Sequence, residues 1–110
     1  MKKNSLSLLP IPLLVWLAIS PIAQAVVPPP DGGYPNFTTA EGTNALLNLT
    51  SGAANTGIGW YSLFSNATGS FNTATGAGSL LFNIADENTA FGAAALLFNT
   101  TGFQNTAVGA

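Results

Sequence analysis

The chain contains no cysteine and no histidine, and Lys2 and Lys3 are its only cations. Without cysteine there is no disulfide to stabilise a small exported domain, so packing and backbone hydrogen bonds must do so. Without histidine or cysteine there is no imidazole base, no thiolate nucleophile and no zinc-type ligand set. Charged residues make up 5% of the chain. Beyond residue 3 they are Asp31, Glu41, Asp86 and Glu87, all acidic. A phosphate backbone therefore has no counter-charge to meet, which excludes nucleic acid as a partner. Anionic membrane surfaces are disfavoured for the same reason.

Enzymatic chemistry is equally short of parts. Asp86 and Glu87 are adjacent, so on a strand they point to opposite faces. Paired-carboxylate hydrolysis needs two carboxyls facing each other across a bond, about 5 to 9 Å apart. Calcium-binding β-rolls need an aspartate in every repeat, and no such column exists here. The expectation is a protein with no catalysis, no cofactor and no metal.

The first 25 residues are laid out as a secretory signal peptide. Lys2 and Lys3 form the positive start, and Leu6 to Ile19 is the apolar stretch. Ala23 and Ala25 supply the small residues of a cleavage site after Ala25. The stretch falls short of the roughly 20 residues that a spanning helix needs. Pro10 and Pro12 also interrupt it. Residues 26–37 (VVPPPDGGYPNF) read as a Pro/Gly linker, extended through Pro28 to Pro30 and hinged at Gly32-Gly33.

From Thr38 onward the chain repeats itself about every seventeen residues. The copies are 38–54, 55–71, 72–87 and 88–104, with a partial copy at 105–110. A fixed short period makes each copy one structural unit that stacks on its neighbours. The second position carries Thr39, Thr56, Thr73, Thr89 and Thr106, and the fifth carries Gly42, Gly59, Gly76, Gly92 and Gly109. The ninth carries Leu46, Leu63, Leu80 and Leu96, each preceded by Ala or Ser. Stacked copies make the leucines an interior ladder, and the glycines permit a bend, a positive φ or a close approach. Asparagines at the first and twelfth positions are placed to form amide ladders, as in cross-β stacks.

Helical solenoids need about 34 residues per repeat for two helices. Seventeen residues suit two short strands and two turns at about 3.3 Å per residue. The fold expected is all-β, a parallel β-roll or β-solenoid. The third copy is one residue short, and Ile84-Ala85-Asp86-Glu87 replaces its Asn/Thr-Gly turn. This reads as a looser surface loop. Asn-x-Ser/Thr sequons stand at Asn36, Asn48, Asn66 and Asn99, two of them within the repeat's own turn.

The pattern Asn-Thr-Ala-x-Gly-x-x-(Ala/Ser)-Leu, followed by Asn-x-Thr-Gly, resembles the head repeats of bacterial trimeric autotransporter adhesins. Similar repeats precede chaperone domains in tail-fibre-like proteins. The resemblance covers Thr38 to Ala110. It implies left-handed parallel β-rolls, side-by-side packing of three chains, and a membrane anchor supplied by C-terminal strands. The chain departs from it in having a longer repeat, no coiled-coil stalk, no anchor strands and no chaperone domain. It stops in mid-repeat at Gly109-Ala110, which reads as the N-terminal piece of a longer protein.

The expectation is an exported structural or adhesive segment of a bacterial cell-surface, outer-membrane or extracellular fibre. It associates with itself, with a homotrimer implied by the resemblance, and meets a host or extracellular ligand through a broad face. Two other readings carry different signatures. A tail-fibre-like protein would lack its chaperone domain here. A small secreted solenoid would bind ice through an exposed threonine row, or self-assemble into fibres.

Overall fold

The computed structural model describes residues 34–110. Residues 1–33, which hold the expected signal peptide with Ala23 and Ala25 and the first part of the expected linker, lie outside the described residues. The described chain winds into stacked coils, each contributing one three-residue strand to a single sheet. These are β1 (Thr39–Glu41), β2 (Thr56–Ile58), β3 (Thr73–Thr75), β4 (Thr89–Phe91) and β5 (Thr106–Val108). All neighbours are parallel and in sequence order. Thr39 pairs with Thr56, Thr56 with Thr73, Thr73 with Thr89 and Thr89 with Thr106. Each threonine therefore sits one strand spacing, about 4.8 Å, above the last. This is an all-β solenoid.

Where the repeat length suggested two strands per coil, there is one. The reason lies in backbone sign. Gly59 has φ 126°, and Tyr61 and Leu63 follow at 56° and 52°. Alternating left-handed residues coil the backbone too tightly for a second strand. The coil-to-coil ladder nevertheless continues through this turn. Gly76 N–H donates down to Ile58 O (2.8 Å) and Gly78 N–H to Trp60 O (2.7 Å). Leu63 N–H donates up to Ser79 O (3.0 Å) and Ser65 N–H to Leu81 O (2.9 Å). Each coil is thus bonded to both neighbours, which satisfies backbone groups that would otherwise be buried unpaired.

The fifth-position glycine is required twice over, as Gly76 shows. Its φ of 129° is one that L side chains rarely adopt, and a Cβ there would lie 2.5 Å from Gly92 O. Any side chain would push the coils apart.

The core is narrow. Leu63 and Leu80 are fully buried and Leu46 nearly so. Leu96 is half-buried, since no described coil covers its part of the turn. Against the leucines stand the middle residues of the strands, among them the buried Ala74 and Ala90. Gly57 takes that place above Leu46, where a Cβ would come within 3.1 Å of Leu46 Cγ. Each buried leucine contributes roughly 1.5–3 kcal/mol. Beneath the first coil, Pro35–Phe37 form a single turn. Asn36 O accepts the Ala54 N–H at 2.8 Å, and Thr38 O accepts the Tyr34 N–H at 3.2 Å. Tyr34 to Phe37, read from sequence as linker, are therefore folded onto the coil.

Candidate interaction surfaces

The interior between coils is held by asparagine amides. Asn72 N–H donates to Asn55 Oδ1 (2.9 Å), Asn88 N–H to Asn72 Oδ1 (3.0 Å) and Asn105 N–H to Asn88 Oδ1 (3.0 Å). The first-position Nδ2 groups bond the turn carbonyl near the end of their own copy, one winding further along the stack: Asn55 to Gly69, Asn72 to Ala85 and Asn88 to Gly102, each 2.8 Å. Twelfth-position asparagines bond the turn carbonyl of their own coil: Asn66 to Gly69 (2.9 Å), Asn83 to Ala85 and Asn99 to Gly102 (both 2.8 Å). One turn carbonyl per coil thus gathers two amides. The short third coil keeps this arrangement by placing Ala85 where its neighbours have glycine. Asn66 Oδ1 is the one buried side-chain oxygen without a partner among the described residues.

The acidic turn serves the same ladder. Asp86 Oδ1 accepts the Ser70 N–H, and Glu87 Oε2 accepts from Gln104 Nε2, both at 2.8 Å. Among the described residues no group of acids, histidines or cysteines converges on a metal-sized site.

Three outer surfaces remain as places where another molecule could be met. The first is the outer face of the sheet. Thr39, Thr73, Thr89 and Thr106 are exposed and Thr56 is half-buried. The second outward column holds Glu41, Ile58, Thr75, Phe91 and Val108. Only β3 shows threonine in both. Phe91, at 59% exposed, projects beside Thr89, so the threonine row does not lie on a flat ground. Because these hydroxyls carry no buried bond, Thr73→Val should change stability by less than about 0.5 kcal/mol in urea titration. A larger loss would give the row a structural role.

The second surface is a strip where Phe82 and Phe98 stack at 5.6 Å with rings 10° from parallel. The third lies over the tight turn. There Trp60, Tyr61 and Phe64 form a continuous aromatic cluster, with ring centroids 4.3 and 4.7 Å apart. Trp60 is 57% exposed. The same columns in the next two coils hold Ala77, Gly78 and Leu81, then Ala93, Ala94 and Leu97. A Cβ on Gly78 would meet only the Leu81 and Leu97 methyls, at 3.8 and 3.7 Å. Sequence reading passed over this face. The sixth and seventh columns vary from Trp-Tyr to Ala-Gly, so no single residue type marked them. The period alone places them together.

The sequons divide by burial. Asn36 and Asn48 are exposed, Asn99 is half-buried and Asn66 is fully buried. Comparison with family models, with curated proteins and with solved structures gave no match to this chain.

Proposed function

We propose that this chain is an exported, non-catalytic repeat segment of a bacterial cell-surface or extracellular fibre, with a structural or adhesive role and self-association, as the homotrimer that the resemblance implies. One observation carries the reading. More large apolar side chains are exposed on the coils than are buried within them. Single exposed hydrophobics are ordinary, but a small solenoid with apolar outer columns is built to be covered. The charge-poor sequence and the signal-peptide layout of residues 1–25 support export, and the repeat's resemblance to adhesin heads supports the bacterial surface. Binding would come from a repetitive face and from avidity rather than from a pocket.

Expression of the full chain in a Gram-negative host tests the export half. Fractionation and N-terminal sequencing should find a species that begins at Val26 outside the cytoplasm. A protein that stays cytoplasmic with Met1 intact would overturn it. Latex beads coated with the exported species should then bind extracellular matrix or cell surfaces more than uncoated beads do, and equal binding would remove the adhesive role.

A further inference from the structure

We propose that Tyr34 to Thr38 form an edge cap, which closes the lower end of the sheet against end-on addition of another copy. This role concerns the end of the stack rather than its sides, and it is independent of export and adhesion.

The ladder shows what the lower edge of β1 would otherwise present. In each coil the second-position N–H donates up to the first-position carbonyl of the next: Thr39 to Asn55 O (2.9 Å), Thr56 to Asn72 O (2.8 Å) and Thr89 to Asn105 O (2.8 Å). A coil added beneath β1 would make that bond to Thr38 O. The place is taken. Tyr34 N–H donates to Thr38 O at 3.2 Å, in an antiparallel bridge beneath a sheet whose every strand pairing is parallel. Pro35 follows, and it has no N–H to offer an incoming edge.

The reversal is joined to the stack in register. At the end of a coil, a residue with left-handed backbone gives its N–H to the coil below: Phe71 (φ 59°) to Ala53 O and Glu87 (φ 60°) to Ser70 O, both at 2.9 Å. Ala54 (φ 55°) makes the same bond to Asn36 O at 2.8 Å, and Phe37 (φ 57°) repeats the backbone. Asn36 and Phe37 thus stand where a coil below would end. Asn36, itself at φ 62°, adds an Nδ2 bond to Gly52 O at 3.4 Å. The first column changes at the same point. Asn72 and Asn105 each point Nδ2 down to the Oδ1 beneath, on Asn55 (3.2 Å) and Asn88 (3.1 Å). The lowest member of that column is the buried Thr38, whose hydroxyl donates to Asn36 O at 3.4 Å. The amide ladder therefore ends on a residue that needs no coil beneath it. At the other edge, β5 has no strand above it among the described residues. Uncapped, the two edges would continue one ladder from copy to copy, and a head-to-tail contact of that kind does not close.

The test uses the purified chain carrying Asn36→Val and Phe37→Val together, which puts β-branched residues at left-handed positions they rarely occupy. Both sites are exposed, so no core contact is lost. Hydrogen exchange and sedimentation velocity over a concentration series are read side by side. In the double variant the Ala54 N–H should exchange faster by on the order of tenfold, while the Leu80 N–H stays protected. Its sedimentation coefficient should climb with concentration without reaching a limit. Tyr34→Pro, which deletes the donor to Thr38 O, should grow likewise, and it decides the matter if the double variant loses protection at Leu80. The unsubstituted chain should keep one mass, as a single copy or a side-by-side trimer. Asn36→Gly, which adopts the same φ, should keep it too. A released Ala54 N–H without growth overturns the proposal, as does open-ended growth of the unsubstituted chain. Retained protection at Ala54 also overturns it, because the left-handed pair would not then hold the cap closed. Growth that halts at a fixed mass is side contact and overturns it as well. Export is read separately, from the N-terminus of the secreted species, so either result can fail while the other stands.

Discussion

Leu80→Asp should abolish cooperative folding at neutral pH. Leu80 is fully buried in the middle of the leucine ladder, with Leu63 in the coil below and Leu96 above. The substitution removes an apolar contribution of roughly 1.5–3 kcal/mol. It also buries a carboxylate that has no cation to meet, since none exists beyond Lys3. An unpaired buried charge costs about 3–5 kcal/mol. The sum rivals the whole stability expected of a small domain, about 5–15 kcal/mol. In a stack where each coil contacts only its neighbours, loss of the third coil separates those on either side. The effect should depend on pH in a definite sense. Burial favours the neutral acid, so the folded-state pKa lies above the unfolded value of about 3.9. The defect is therefore least below that value and widens as pH rises through the folded pKa. Thermal melts by circular dichroism at pH 3 and pH 7 measure both claims. A variant that melts like the parent at pH 7 would mean that Leu80 does not face the interior.

Leu80 also illustrates what a sequence of this kind discloses. The ladder of leucines, the row of threonines and the first-position asparagines recur together, with the same one-residue shortening in the third copy, and stacking follows from that shared spacing. What the period does not encode is the sign of φ. Leu46, Leu63, Leu80 and Leu96 all adopt φ between 50° and 53°, a region that bulky residues seldom occupy. A leucine column argues for burial by its chemistry and gives no hint of a left-handed backbone. That backbone is what turns the expected second strand into a tight turn. The cost of such residues, of order 1–3 kcal/mol each, is tolerated only where the surroundings over-determine them. Here the leucine side chain is held by the core and its N–H by the coil above: Leu46 N–H to Ser62 O (2.9 Å), and Leu80 N–H to Ala95 O (3.0 Å). The aromatic cluster is hard to read from the sequence for a related reason: Trp60 and Tyr61 stand in columns that hold Ala77 and Gly78 one coil on, so no residue type recurs to mark them.

The asparagine ladder carries the second large effect, and it separates hydrogen bonding from packing. Asn72 is fully buried and uses both ends of its amide. Its Oδ1 accepts the Asn88 N–H (3.0 Å), while its Nδ2 donates to Ala85 O (2.8 Å) and Asn55 Oδ1 (3.2 Å). Asn72→Ala leaves the Asn88 N–H without that acceptor and opens a void between coils. One stranded buried donor costs about 1–3 kcal/mol, and the void adds to it. The loss should hold at every pH. Asn72→Asp keeps the acceptor but turns a second oxygen toward the Ala85 and Asn55 oxygens. At low pH the carboxyl proton can replace the lost N–H as donor, so the aspartate variant should be the more stable of the two. Above the unfolded pKa of about 3.9 the folded state must either hold that proton against a rising pH or accept a buried charge. Its stability should then fall below that of the alanine variant. The two urea-denaturation curves against pH are expected to cross. Asn48→Asp supplies the control, because Asn48 is exposed and makes a single bond to Phe64 O at 2.9 Å. Parallel curves for the two Asn72 variants would show that this amide fills space without directing the stack. A crossing would place the register of the coils in the amide ladder, with the leucines supplying cohesion that is indifferent to direction.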